Sequence, residues 1–285
     1  MGDDCRAMVV VTLGDALLDV IVRLDEPLAA GSDVRAATRT GAGGQSANAA
    51  VCAVSLGAEA RVVAAIGDDA AAGLVRNELA GRGTHVHGPV VTGATGVVVS
   101  IVGPEGERSM ASDRGVAPQL APEHLEQEWF DGCDVLHLSG YALLRTPIQD
   151  AALLAASLGR AAGARISVDV SAWTEIRSYG PVRFRELLDT LAPDVIFATE
   201  AEWEILGGAY MTAPLAVLKR GARGCTIVSP DARIDLAPLP VEVADATGAG
   251  DALAAGFLLG GSLEEAGRRG LEAAARCVGR LGAMP

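Results

Sequence analysis

The sequence predicts an α/β fold: a three-layer sandwich in which helices cover both faces of a mostly parallel central sheet, with a small β lid beside it. Three observations carry this. β-like and α-like segments alternate along all 285 residues. The first strand-like segment, Met8–Leu13, is a continuous apolar run, as a strand buried on both faces is. Helical segments long enough to cross between parallel neighbours separate the strand-like ones.

The elements follow in order. Met8–Leu13 is an apolar run stopped by Gly14-Asp15. Ser46–Leu56 places Ala47, Ala50, Val51 and Val54 at helical spacing. Arg61–Ile66 is a second strand, stopped by Gly67-Asp68-Asp69. Val135–Leu138 and Arg165–Asp169 are strands flanking the Ala/Leu-rich helix Ile148–Ala162. Val195–Phe197 and Cys225–Val228 are further strands, and Gly250–Leu259 and Leu263–Leu281 are closing helices. Two stretches break the rhythm. Val20–Thr40 has no helix period, and Thr95–Val102 reads as a strand followed by a turn. They predict an antiparallel flap, with lid segments near 20–40 and 95–112, on a single domain spanning 1–285.

Composition narrows the function. The formal net charge is −13, which disfavours nucleic acid or an anionic membrane surface as partner. No apolar run approaches the ~18 residues of a membrane span. The first residues lack a basic segment followed by a long apolar stretch, so a cytoplasmic protein is expected. Cys5, Cys52, Cys133, Cys225 and Cys277 are odd in number and widely spaced, which predicts free thiols and neither a disulfide framework nor zinc. His137 lies in an apolar run and is expected in the core.

Ligands of such sheets bind beyond the carboxyl ends of the strands, so polar residues there are the candidates. The strongest signal is Asp245-Ala-Thr-Gly-Ala-Gly-Asp251 before an apolar helix. Gly248, Ala249 and Gly250 form a turn whose unpaired amides and helix dipole favour an anion. Asp251 is out of place beside a phosphate unless it accepts the proton of a hydroxyl attacking that phosphate. The alternative is an ordinary Asp N-cap. Gly41-Ala-Gly-Gly-Gln-Ser-Ala-Asn48 opens the next site. Gly43 and Gly44 allow a ligand close to the backbone, and Asn48 suits sugar hydroxyls. The alternative is a plain Gly loop, with no strand directly before it and Ser46 as N-cap. Asp15 and Asp19 lie after the first strand, placed to grip hydroxyl pairs or to sit in a solvated turn. Thr199-Glu200-Ala201-Glu202 is either a water-mediated magnesium site or a helix start rich in acid. Lys219, Gly221 and Gly224 shape a basic turn along a nucleotide phosphate or at the bare surface. No GxxxxGK[ST], HExxH or GxSxG pattern occurs.

The order of these segments, from a GD…D turn through GGxxAN, an acidic pair and KxGxxG to DxTGAGD, resembles the ribokinase-like (PfkB) family of carbohydrate and nucleoside kinases. The resemblance runs from about Val9 to Ala283. It implies ATP and Mg2+ as cofactors, a small sugar-like substrate, and Asp251 as catalytic base beside an anion hole at Gly248, Ala249 and Gly250. It implies substrate contacts at Asp15, Asp19, Gly43, Gly44 and Asn48. Nucleotide contacts are implied at Thr199, Lys219, Gly221, Gly224 and Thr247, and a magnesium-associated acid at Glu202. Asp245 stands where some members hold a monovalent cation, and a homodimer through the lid is a family expectation. A nucleoside is the alternative substrate, and a binding protein without catalysis the alternative function. Two departures stand out. Thr199 replaces the usual Asn of the acidic motif, and Leu17 stands where ribokinases tend to carry Asn. The segment Glu107–Gly115 resembles lid sequences whose arginines would meet an acidic or phosphorylated sugar, or else form a solvated hairpin.

Overall fold

The computed structural model describes residues 6–105, 108–208, 213–280 and 282–284. Cys5, Glu107 and Leu281 lie outside them. In chain order the first strands are β1 (Val9–Leu13), β2 (Leu17–Leu24), β3 (Ala36–Gly43), β4 (Glu59–Val63), β5 (Ile66–Gly67), β6 (His85–His87), β7 (Val90–Val91), β8 (Thr95–Val102) and β9 (Arg108–Gly115). There follow β10 (Val135–Ser139), β11 (Arg165–Asp169), β12 (Val195–Thr199), β13 (Leu215–Lys219), β14 (Cys225–Val228) and β15 (Arg233–Leu236). The helices are α1 (Gln45–Ser55), α2 (Ala70–Gly81), α3 (Ile148–Ala161), α4 (Trp173–Tyr179), α5 (Pro181–Leu191), α6 (Glu200–Ile205), α7 (Ala249–Leu258) and α8 (Leu263–Val278).

Nine strands form one sheet in the order β15-β14-β13-β12-β11-β10-β1-β4-β6. All pairs are parallel except β13–β14 and β14–β15, so the sheet is mostly parallel as expected. Alternation along β1 sends its side chains to two cores. Val11 and Leu13 pack with Ile148 and Ala155 of α3 and Phe184 of α5. Val10 packs on the other face with Ala47 and Ala50 of α1 and Ala252 of α7. The many alanines explain why so few aromatics suffice: small residues let the helices approach the sheet and each other closely. Among the described cysteines, Cys52, Cys133, Cys225 and Cys277 are free and buried. His137 is core; burial pushes its imidazole down to about 4, and Ser167 Oγ lies 2.7 Å from Nδ1.

The two irregular stretches do form a second sheet, β3-β2-β8-β9. It is not the antiparallel flap expected. β2 and β8 pair in parallel, with an antiparallel partner on either side. The reason is topological: α1, β4 and α2 lie between the two hairpins in the chain, so the second can return in the direction of the first. A strand also runs directly into the Gly41–Asn48 segment, against expectation. β3 is an exposed edge strand of small and polar residues, so it lacks apolar alternation and is held by pairing to β2. The helix α2 was not foreseen either. Its Ala/Gly-rich sequence has a weak period, and Asp69 caps it by accepting from the Ala72 amide.

Candidate active site

The site lies at the carboxyl ends of the central strands, under the lid sheet. Its floor is the start of α7. Gly248 is the N-cap with φ of +74°, and an added Cβ would stand 2.3 Å from the Ala283 carbonyl oxygen. Only glycine fits that turn. Asp251 is therefore not the cap. It is the third residue of the helix, 7% exposed, and its carboxylate faces α1. Asn48 Nδ2 donates to Asp251 Oδ2 at 2.8 Å, and Gln45 adds a second side-chain hydrogen bond. Burial, then the charge of Asp169, pushes the Asp251 carboxyl up to about 7; Asn48, Lys219 and Gln45 pull it back down.

The lid supplies the opposite wall. Asp19 sits on β2, paired in register with Gly41 of β3. Gly43 makes room for it, since a Cβ there would come within 2.1 Å of the Asp19 carboxyl carbon. Burial raises Asp19 to about 6, with Arg108 opposing and Asp245 and Glu78 adding to the rise. Asp15 does not stand open to ligand. Its carboxylate accepts from Nε and Nη2 of Arg114, on β9, at 2.6 and 2.8 Å. Gly44 is the N-cap of α1, and Ser46 lies inside the helix rather than capping it.

On the far side of the α7 start lies a cleft of about 500 Å³. Lys219, Gly221 and Gly224 border it on one side, and Ala246, Ala249 and Gly250 on another. Its remaining walls are aliphatic, with Leu239, Val241, Val243 and Leu271 among them. The turn Gly248–Gly250 thus separates a polar, acidic chamber from an apolar slot with a basic rim.

Comparison with known proteins agrees with that geometry. Residues 8–285 match the pfkB family of carbohydrate kinases. The chain belongs to this family. It is 29% identical to an ATP-dependent ribose-1-phosphate kinase of Halopiger xanaduensis, over 96% of this chain and 93% of that one. It is 27% identical to a ribokinase of Arabidopsis thaliana, over 99% of this chain and 79% of that one. The crystal structure of adenosine kinase from Sinorhizobium meliloti superposes with a TM-score of 0.88 at 26% identity, covering 98% and 96% of the two chains. The fold is the ribokinase-like sandwich with its lid, and the enzyme is a phosphotransferase that acts on a hydroxyl acceptor.

Within this kinase, two sequence candidates are more constrained than their motifs suggested. Thr199 and Glu202 form a capping box at α6. Thr199 Oγ1 accepts from the Glu202 amide at 3.3 Å, and Glu202 Oε2 accepts from the Thr199 amide at 2.7 Å. Thr199 therefore fills the local structural part that an Asn would fill. Burial pushes the Glu202 carboxyl up, and Lys219 pulls it back. Lys219 Nζ donates to both oxygens of Asp169 at 2.7 Å. Burial alone would lower its pKa, but Asp169 and Glu202 outweigh that and raise it, so the ammonium stays charged. Its nitrogen also reaches the Gly248–Gly250 turn: a Cβ on Gly250 would lie 3.2 Å from it.

Asp245 is tied into the turn it precedes. Oδ1 accepts from the Thr247 amide and hydroxyl at 2.9 and 2.5 Å, and Oδ2 from the Gly282 amide at 3.1 Å. Arg108, from the lid strand β9, donates to Asp245 Oδ1 at 3.2 Å and to Thr247 Oγ1. Burial would raise Asp245, but these hydrogen bonds and Arg108 hold it below the usual carboxylate range. The guanidinium brings the positive charge that a monovalent cation would bring, so this donor set does not fit such an ion while Arg108 is in place. Among the described residues no group of three or more His, Cys, Asp or Glu could cage a metal.

Sequence reading missed Asp169 and Gln45. Asp169 ends β11, and the only signal was its place at the carboxyl end of a parallel strand. Gln45 is inside the GAGGQSAN segment, but nothing in the segment shows that it turns toward Asp251.

Proposed function

We propose that this kinase transfers the γ-phosphate of ATP, with Mg2+, to a hydroxyl of a sugar or sugar-bearing small molecule, and that Asp251 is the general base. The carrying observation is the buried Asp251, held by Asn48 at 2.8 Å one residue beyond the Gly248–Gly250 turn, with the cleft on the other side of that turn. The substrate hydroxyl sits between Asp251 and the turn. Asp251 takes its proton as the oxygen attacks the γ-phosphorus, and the bond to the ADP oxygen breaks. Amides of the turn and the ammonium of Lys219 face the negative charge that builds on the transferring group. The base of the nucleotide lies in the aliphatic slot. Closure of the lid, anchored by Arg108 on Asp245 and Thr247, excludes water and suppresses hydrolysis of ATP.

No helix among the described residues is long and apolar enough to cross a membrane. A cytoplasmic enzyme forming a homodimer through the exposed strand edges of the lid completes this reading, and light scattering tests the dimer. The function is tested by ADP release from ATP and Mg2+ against ketoses, aldoses, sugar phosphates, sugar acids and nucleosides, with Asp251→Asn in parallel. Turnover with one compound that vanishes in the variant supports the reading. Equal turnover in the variant removes Asp251 as the base.

A further inference from the structure

Gln45 opens α1 and Asn48 follows three residues later, so one turn of helix puts both side chains on the same face. That face is turned to α7. Asn48 Nδ2 reaches Asp251 at 2.8 Å, and Gln45 makes a second side-chain hydrogen bond to the same carboxylate. The other end of the Gln45 amide is engaged as well. Ser139 Oγ donates to Gln45 Oε1 at 2.5 Å. Ser139 is the last residue of β10, is 2% exposed, and stands in register with Asp169 of β11. Gly14 lets the start of α1 and the end of β10 come together: a Cβ on it would lie 2.3 Å from Ser46 Oγ and 2.7 Å from Ser139 Cβ. A line of hydrogen bonds thus runs from the carboxyl end of β10, across the first turn of α1, to Asp251.

An amide has two unlike ends, an acceptor oxygen and a donor NH2. An ionised carboxylate only accepts, so it is served by the NH2 and repelled by the oxygen. The Ser139 hydroxyl decides which end Asp251 meets. By donating to Oε1 it keeps the amide oxygen at β10 and leaves the NH2 for α7. Without that hydroxyl Oε1 loses its donor, and the amide no longer has a reason to keep its oxygen away from the carboxylate. The other groups that face Asp251 come from different elements. Asp169 of β11 raises its pKa, while Lys219 of β13 and Asn48 of α1 lower it. Cys52 of α1 and Cys277 of α8 are thiols whose own pKa burial pushes up, so they face it uncharged.

We propose that Ser139 is a positioning residue: its hydroxyl fixes the Gln45 amide so that this amide donates to Asp251 and holds the carboxylate for the substrate hydroxyl. This rests on Asp251 being the base, as proposed above.

The test compares the wild type with Ser139→Ala, Gln45→Ala and the double variant. One readout is the pH dependence of kcat/KM for the acceptor. The other is the titration of the Asp251 carboxyl by carbon NMR, its signal assigned as the one absent in Asp251→Asn. In Ser139→Ala the acid limb and the carboxyl titration should both move up by about 0.5–1 in pH. On that limb kcat/KM should fall about three- to tenfold, the size of one net hydrogen bond. Gln45→Ala should act in the same direction, and the double variant should move no further than Gln45→Ala alone. A merely structural role for Ser139 lowers kcat/KM equally at every pH and leaves the titration in place. An unmoved titration in Ser139→Ala, or movements that add in the double variant, overturns the proposal. Where Ser139→Ala does not fold, Ser139→Cys keeps a weaker donor at the same place. An upward movement smaller than that of Gln45→Ala then supports the proposal, and none overturns it. The base reading fails separately. If Asp251→Asn keeps full turnover, the acid limb does not belong to Asp251, and the carboxyl titration alone decides whether Ser139 acts on it through Gln45.

Discussion

Asn48 Nδ2 donates to Asp251 Oδ2 at 2.8 Å across 203 residues of chain, tying the first helix to the proposed base. The donor stabilises the charged carboxylate and so opposes the effect of burial. Asn48→Ala removes it. The acid limb of the pH–rate profile should move to higher pH, and kcat/KM at neutral pH should fall about 10- to 100-fold, the range for a hydrogen bond to a charged group. A profile that stays in place would show that Asn48 does not set the proton affinity of Asp251.

Asp251 has its carboxyl raised from 3.8 to about 7 by burial and by Asp169. The working form is the carboxylate, so kcat/KM should rise as pH climbs through about 7. Asp251→Asn should lose about 10²–10⁴-fold in turnover. Stability moves in the opposite sense to activity. The folded protein keeps a proton that the unfolded chain releases above about 4, so wild-type stability falls as pH rises toward and through about 7. The Asn variant has no such loss. Its advantage in melting temperature over wild type should therefore grow between pH 5 and pH 8, as calorimetry at the two values would read.

Lys219 and Asp169 are a buried ion pair at 2.7 Å. Lys219→Met leaves a buried carboxylate alone, and urea unfolding should show a loss of about 3–5 kcal/mol. Lys219→Met/Asp169→Leu should recover most of that stability, because no unpaired charge remains. It should not recover turnover, since the positive charge beside Gly250 is gone. Recovery of activity in the double variant would remove Lys219 from the phosphate site.

Gly43 faces the Asp19 carboxyl at a distance no Cβ tolerates. Gly43→Ala should push Asp19 aside. KM for the acceptor substrate should rise about tenfold or more while KM for ATP holds, because the cleft proposed for the nucleotide contains neither residue. Equal effects on both KM values would mean that the damage spreads through the whole fold.

Much of the fold was legible because the strands of a doubly covered parallel sheet must be continuously apolar. β1 shows this most plainly, and β1, β11 and β14 lie within a residue or two of their expected limits. The lid was harder. β3 is nearly all exposed, and only its partner makes it a strand. The residues of the Gly248–Gly250 turn stood out through their glycine spacing, and Gly248 takes the positive φ that such a turn needs. Asp169 did not, since it acquires its meaning from Lys219, far away in the chain.

The sequence by itself determined the layered sheet, the helix start at Gly248 and the list of polar residues at strand ends, because these follow from local periodicity and backbone stereochemistry. Tertiary structure decided how those residues are used. It set Asn48 rather than solvent against Asp251, engaged Asp15 with Arg114 and Lys219 with Asp169, and brought Arg108 across from the lid to Asp245. The physical reason is that a buried charge must find an opposite charge or a hydrogen-bond donor within about 3 Å, and which one it finds depends on the packing of distant segments.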